Sequence, residues 1–392
     1  MDQVLSNGRI VTTDGILDGY ELRLAAGRIE AVSRAGTTTG AERRHVDACG
    51  AYIMPGMIDL HSDFIERMAA PRPNTRFDMG LALRETEREL ITHGITTMFH
   101  SISIFDHMEF NPSPVRTPEA TASLIECIEA SRRSRHLVRH RLHARFELDA
   151  LSRVGELEGY IRDKRVQLLS FMDHTPGQGQ FRDLEVFRSA MKAYRGLTDT
   201  AADAEITRTR EREKITIDRV TELSAVARAQ GIAVASHDDD TVDKLNLVSS
   251  VGATISEFPI TLEVARAARG RGMHTVAGAP NVLLGGSHSG NLSAADAVID
   301  GAIDVLCSDY FPAAMVHAVF ILHETHSMPL ADAVRLVSHN PATALGTAEE
   351  TGSLETGKSG DLIVVGVSKD GRPAVTDAFV GADHVYSARY RR

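Results

Sequence analysis

Six residues close apolar runs in this sequence with a metal-binding side chain: His61, Asp63, Glu147, His174, His237 and Asp309. Imidazole and carboxylate groups suit zinc, manganese or iron, so a divalent-metal centre is the chemistry these residue types allow. His61 and Asp63 end the run Pro55-Gly56-Met57-Ile58-Asp59-Leu60 as His-x-Asp. Residues two apart on a strand point to the same side, so both can face one ion. In Arg141-Leu142-His143-Ala144-Arg145-Phe146-Glu147, the side chains of His143, Arg145 and Glu147 share one strand face. A glutamate at such a strand end can bridge two ions. The alternative is a solvated Arg145–Glu147 ion pair, with His143 a satisfied surface residue.

The runs ending at Asp173-His174, at His237-Asp238-Asp239-Asp240 and at Ser308-Asp309 repeat the pattern of a buried strand followed by an ionisable residue. Each of these alone reads equally well as a helix cap or a loop ion pair. Several in register at strand ends call for a shared site, because barrel enzymes draw catalytic residues from the carboxyl ends of several strands. The Gly285-Gly286-Ser287-His288-Ser289-Gly290-Asn291 loop follows Ala279-Pro280-Asn281 and offers backbone N–H and hydroxyl donors to an anion. Gly/Ser loops are also common as plain connections.

The elements that must position these residues alternate. Strand-like runs fall at 57–61, 95–100, 142–148, 166–172, 232–236, 254–258, 274–277 and 303–307, with helical periodicity between them, as at 82–92, 120–134 and 217–230. Eight β/α units fit a closed parallel barrel. A doubly wound open sheet is the alternative, but no Gly-rich dinucleotide fingerprint opens the first βα turn. The first ~50 and last ~40 residues read as short strands and turns, marked by Asn7-Gly8, Asp14-Gly15, Ala26-Gly27 and Gly360-Asp361. We expect one composite β domain from both ends, giving divisions at 1–55, 56–350 and 351–392; unrelated end extensions are the alternative. The polar segment 177–214 reads as an ordered insertion or lid.

With 392 residues, the chain can hold a barrel of roughly 250 residues and an accessory domain. Its apolar fraction of 43% and mean hydropathy of −0.14 are those of an ordinary globular protein. No apolar run approaches the ~20 residues of a membrane span, and Met1-Asp2-Gln3-Val4 does not begin a signal peptide. Cys49, Cys127 and Cys307 form no CxxC pair, which points to a reducing compartment and a cytoplasmic protein. The net charge of −10 argues against a nucleic-acid partner.

On these residues the chain resembles the amidohydrolase superfamily, and within it the ribose 1-methylphosphonate 5-triphosphate diphosphatases of phosphonate degradation. The matching segments are 55–63, Pro71-Arg72-Pro73, 94–97, 141–147, 172–181, 235–239, Glu257-Phe258-Pro259, 278–281, 285–291 and Ser308-Asp309-Tyr310; Asn340-Pro341-Ala342 and 357–362 match the wider superfamily. The resemblance implies an α/β fold, a (β/α)8 barrel with a small β-sandwich from both termini. It also implies a centre of two divalent ions, zinc first and manganese or iron otherwise, and hydrolysis of a triphosphate to the 5-phosphate and pyrophosphate. It departs from the wider superfamily in having His61-x-Asp63 where His-x-His is usual, a change this branch shares. Glu147, His174 and His237 fall after strands three, four and five by our count, where the superfamily more often uses four, five and six. Leu284 and Gly179 stand where relatives tend to carry arginine, and Arg72, Arg145, Arg182, Lys192 and His288 are the cations that compensate.

The expected mechanism follows. Ions held by His61, Asp63, Glu147, His174, His237 and Asp309 lower the pKa of a bound water, and the resulting hydroxide attacks phosphorus. Asp309 takes the proton and passes it to the leaving group. Arg72, Arg145, Gln178, Asp238, Asn281, Ser287, His288 and Asn291 are the expected grips on a phosphorylated small molecule. Two other readings stay open. One is a carbon–nitrogen hydrolase with a less charged substrate, and the other a non-catalytic metal-binding relative. Barrels of this kind often dimerise, so a homo-oligomer is admitted, though no segment marks an interface.

Overall fold

The computed structural model describes residues 2–36, 43–107, 113–286 and 292–389. Its N-terminal strands are β1 (Gln3–Ser6), β2 (Arg9–Val11), β3 (Ile16–Leu17), β4 (Tyr20–Ala25), β5 (Arg28–Arg34), β6 (Arg44–Asp47) and β7 (Tyr52–Pro55). Eight strands follow: β8 (Met57–Ser62), β9 (Ile95–Ile104), β10 (Arg139–Glu147), β11 (Leu168–Met172), β12 (Ala233–His237), β13 (Ile255–Glu257), β14 (His274–Gly278) and β15 (Val305–Cys307). The C-terminal strands are β16 (Leu362–Val367), β17 (Pro373–Val380) and β18 (Asp383–Ser387).

The middle eight pair in sequence order in one parallel sheet. Backbone bonds close it: Asp309 N–H donates to His61 O at 3.0 Å, and Asp63 N–H donates to Asp309 O at 3.0 Å. All eight expected strands are present. The largest shifts are at β9, which runs four residues past the expected 100, and at β10, which starts three residues before the expected 142. Charge at Arg139-His140-Arg141 disguises that start. Arg139 resolves its own charge by forking onto Asp361, with Nε and Nη2 at 3.1 and 3.0 Å from the two carboxylate oxygens.

The helices between strands begin where capping chemistry predicts. Asp78, Thr117 and Thr216 each accept an N–H from the first turn of the helices Met79–Thr92, Pro118–Ser131 and Ile217–Ala229. Pro118 occupies the first turn of its helix, where its missing N–H costs nothing. Inside the barrel, Ile58, Leu168, Ala235, Ile255, Val276 and Val305 pack with Ala342 and Leu345. That plug fills the amino ends of the strands and leaves the carboxyl ends open.

The termini form a separate domain of two sheets, ordered β5-β4-β1-β6 and β18-β17-β16-β7-β2-β3. Ala26 and Gly27, at φ 47° and 80°, reverse β4 into β5 as a two-residue hairpin loop requires. β7 pairs antiparallel with β16 from Tyr52↔Val365 to Pro55↔Leu362, so the two ends of the chain share one sheet. Leu5, Leu22, Ile53, Leu362, Val364 and Phe379 are buried together between the layers. The segment 177–214 folds as the helices Leu184–Arg195 and Asp199–Arg210, with Phe181, Phe187, Met191 and Ile206 in a small core of their own. No helix among the described residues is long and apolar enough to cross a membrane.

Candidate active site

The barrel's open end holds a cavity of about 490 Å3. His61, Asp63, Glu147, His174, His237 and Asp309 all line it. The strand count holds: Glu147 ends the third barrel strand, His174 follows the fourth and His237 ends the fifth.

His61 is 3% exposed, and its Nδ1 lies 2.8 Å from Glu257 Oε1. That contact leaves Nε2 for the cavity. Glu257 also accepts from Ser170 Oγ at 2.5 Å, and Ser170 Oγ lies 2.5 Å from His143 Nε2. His143 is therefore 0% exposed inside the barrel, which corrects the surface alternative for it. Burial holds its ring down to a pKa of about 3, so it is neutral. Burial likewise pushes His61 well below the ordinary range.

The second cluster joins Glu147 and His174, whose Oε1 and Nδ1 are 2.5 Å apart. Burial lowers the His174 pKa, but the charge and hydrogen bond of Glu147, together with the charge of Asp238, outweigh it and raise the ring overall. Arg145 stands between the clusters, with Nη2 at 3.4 Å from His237 Nε2 and Nε at 3.0 Å from Met172 Sδ. Arg145 and Glu147 therefore do not form the alternative ion pair; each faces an imidazole in the cavity.

Three residues of the rim, Asp238, Phe258 and Asp309, hold left-handed backbone angles of 53°, 54° and 58°. Such angles are costly for side-chain-bearing residues and collect at functional sites. Lys244 supports the first of them: its Nζ donates to His237 O at 2.7 Å and to Asp238 O at 3.1 Å. Burial, and then the charge of Asp63, raise the Asp309 carboxyl to about 7. Burial also acts to raise Asp238, but the rings of His237 and His174 hold it at about 2.

The donor set fits divalent ions. Ligand atoms of His61, His237 and Glu257 lie within 4.8 Å of one another, and so do those of His174, His237 and Asp238. His237 Nδ1 is buried, with Asp238 Oδ2 3.1 Å away. Six lining carboxylates (Asp63, Glu147, Asp149, Asp173, Asp238 and Asp309) face two guanidinium groups, Arg116 and Arg145. Arg212 and Lys214 pair with Asp149 and Asp173, at 3.1 and 2.8 Å, and the four remaining carboxylates still outnumber the two guanidinium groups, a lining suited to cations.

Other expected site residues fare differently. Asp238 and Asn281 line the cavity. Both ends of the Asn281 amide are taken, however: Nδ2 donates to Leu292 O and Oδ1 accepts from Ala294 N–H, each at 2.9 Å. Asn281 therefore braces the loop that follows it. Gln178 points its amide at Asp173 O, at 3.4 Å, and it is Gln180 that reaches the cavity. Arg72 is exposed on the turn after the first barrel strand's helix and does not line the cavity. Arg182 and Lys192 are not among the lining residues either, and Lys192 pairs with Asp199 at 2.8 Å. Ser287, His288 and Asn291 lie outside the described residues.

Sequence reading missed Arg116, which sits in an irregular connection without periodicity. Its Nε holds Glu66 at 2.6 Å, and its Nη2 is 3.4 Å from Asp63 Oδ2. It also missed a role for Glu257, which reads as the end of an apolar strand; a carboxylate in such a run was the available signal. Of the two expected arginine positions, one has a physical explanation and the other, Leu284, has none in the structure. Gly179 sits at φ 56°, and a side chain there would meet Asp238 Cβ at 3.2 Å. Leu284 is on the rim and 66% exposed.

A sequence model of the amidohydrolase family matches residues 52–381. The alpha-D-ribose 1-methylphosphonate 5-triphosphate diphosphatase of Escherichia coli (strain K12) is 32% identical over 368 residues, covering 92% of this chain and 94% of its own. An adenine deaminase of Ruegeria sp. (strain TM1040) is 37% identical over 101 residues, 25% of this chain and 15% of its own. In fold, the chain is similar to N-acetylglucosamine-6-phosphate deacetylase from Pasteurella multocida, with a TM-score of 0.64, 14% identity, and 98% and 99% of the two chains covered. With its closed eight-stranded barrel, its two-ended accessory domain and its cluster of imidazoles and carboxylates, this chain belongs to the amidohydrolase family of metal-dependent hydrolases.

Proposed function

We propose that the chain hydrolyses a phosphoanhydride bond, releasing pyrophosphate from ribose 1-methylphosphonate 5-triphosphate or a related sugar or nucleoside polyphosphate. The observation that carries this reading is the cavity's set of six strand-end ligands in a chain 32% identical, over 92% of its length, to a diphosphatase with that substrate in its name. In this reading His61, Asp63, Glu147, His174, His237 and Asp309 hold two divalent ions, zinc first and manganese or iron otherwise. Such ions, when bound, lower the pKa of water and neutralise phosphoryl charge.

The chain's own residues do the rest. Glu257 fixes His61 by its Nδ1 and so sets which ring nitrogen faces the cavity. Asp309, which lines the cavity beside the other strand-end residues, takes the proton of the attacking water and returns it to the leaving phosphate oxygen. Arg145 meets negative charge on the substrate, and Arg116 holds Asp63 in place. The Phe258 ring packs edge-on against His61, its centroid 4.9 Å away, and keeps water off that side. Ser287, His288 and Asn291 serve as further phosphate donors. The divisions at residues 55 and 350 and a cytoplasmic location, supported by three free cysteines, belong to the same reading.

A second reading, a carbon–nitrogen hydrolase, is favoured by one observation: the lining has six carboxylates against two guanidinium groups, and neither Gly179 nor Leu284 adds a cation. One experiment separates the two. Purified protein is analysed for metal and screened for pyrophosphate release over sugar and nucleoside polyphosphates. Release with about two ions per chain is expected. Metal-loaded protein that releases nothing from any polyphosphate, yet cleaves cyclic amides or amides, overturns the first reading in favour of the second.

A further inference from the structure

A second group of metal-binding side chains lies outside the cavity. Alternation along β9 and β10 turns His100 and His140 away from the barrel interior that Ser101 and His143 face. There they meet Glu87, on the helix Met79–Thr92, and His136, on the segment leading into β10. Ligand atoms of Glu87, His136 and His140 all lie within 4.8 Å of one another.

Glu87 Oε2 is the hub. It is 2.9 Å from His136 Nδ1 and 3.5 Å from His140 Nε2, and it accepts Leu137 N–H at 2.9 Å. His140 is 2% exposed, yet its Nε2 makes no hydrogen bond among the described residues. Glu87 Oε2, at 3.5 Å, is too far to make a good hydrogen bond, and a buried imidazole nitrogen left so poorly satisfied is costly. Its other nitrogen, Nδ1, lies 2.8 Å from His100 Nε2. With Nδ1–H donated to His100, the Nε2 lone pair points at Glu87 and His136. This is how metal-ligating histidines are arranged, with the second nitrogen held by an outer partner.

We propose that Glu87, His136 and His140 form a metal site separate from the cavity. It holds one zinc-like divalent transition ion through Glu87 Oε2, His136 Nδ1 and His140 Nε2. Two imidazoles and a carboxylate are a common zinc set, and a fourth ligand can come from water on the partly exposed His136 side. The ion ties the helix Met79–Thr92, the segment before β10 and β10 itself into one unit. β10 carries Arg145 and Glu147 on its opposite face, so the site anchors a strand that supplies two charged residues of the cavity's wall. The proposal does not rest on the reaction assigned to the cavity.

The test uses two measurements. Crystals of the unaltered protein, soaked in zinc, are measured on both sides of the zinc absorption edge. An anomalous peak is expected about 2.0–2.1 Å from the three named atoms, apart from any peak in the cavity. No peak there overturns the proposal, whatever the cavity shows. In solution, zinc is titrated into stripped protein carrying His61→Ala and His237→Ala, which disable the cavity. Uptake of about one ion per chain is expected, with affinity falling about 100-fold or more on adding His136→Ala or Glu87→Gln. Uptake that neither change weakens assigns the ion elsewhere and overturns the proposal. Should the combined variants not fold, the crystal measurement decides alone.

Discussion

At the amino ends of the barrel strands, Ile58, Leu168, Ile255 and Val305 pack with Ala342 and Leu345 in an apolar plug. At the carboxyl ends, His61, His237 and, just past the last strand, Asp309 line the cavity, and Glu257 backs His61 from within the barrel. One end is held by burial alone. The other gathers imidazoles, carboxylates and three left-handed backbone positions. The difference shows how the fold divides its tasks: the plug supplies the stability that the strained, charged end consumes. Changes at the open end should therefore cost function more than stability, and changes at the plug the reverse.

The sharpest way to break this contrast is Asp309→Asn. Turnover should fall by about 10³-fold, within the range for a lost acid–base group, while the thermal melt stays within a few degrees. An active variant, or an unfolded one, would remove Asp309 from its role or the contrast from the molecule. Next in size is Glu257→Gln, which leaves a hydrogen-bonding group beside His61 but removes its charge. Metal affinity, read by competition with a chromophoric chelator, should weaken about 10- to 100-fold. No change would mean that Glu257 only fills the interior.

Leu284→Arg restores a cation at the cavity rim. With a triphosphate substrate, KM should drop about 10-fold with little change in kcat, the size of one charge-assisted contact. An unchanged KM favours the less charged substrate. The smallest effect on turnover is expected from Leu168→Ala in the plug. It should lower stability by about 2–5 kcal/mol in denaturant titration, as buried leucines do. The folded fraction should keep its activity within about twofold.

The same contrast explains what the sequence disclosed. Strand ends at the cavity were legible because an apolar run that stops at His61, His174, His237 or Asp309 breaks a pattern, and a break is visible locally. The eight barrel strands were legible for the same reason. Arg116 was not, since it reaches Asp63 from an irregular connection 53 residues along the chain, and no local period reports such a meeting. Arg72 looked equivalent by composition, yet its turn leaves it in solvent. The surface alternative for His143 stayed open because its buried partners, Ser101, Ser170 and Glu257, come from three other strands. The commitments of Asn281 and Gln178 to nearby backbone were equally invisible, because a side-chain amide looks the same whether it is free or used.

The seam between β7 and β16 carries a consequence for how the protein is made. Gln3 Nε2 donates to Ala382 O across 379 residues of sequence, and Arg28 reaches Gly357 across 329. A ribosome adding about 5–20 residues per second needs on the order of 20–70 s to span such gaps. During that interval β7 has emerged without β16, and one edge of its sheet offers unpaired N–H and C=O groups. The barrel has time to close first, directly downstream of β7. The accessory domain is then completed last, as a clasp, and the nascent chain most needs protection from association at residues 52–55.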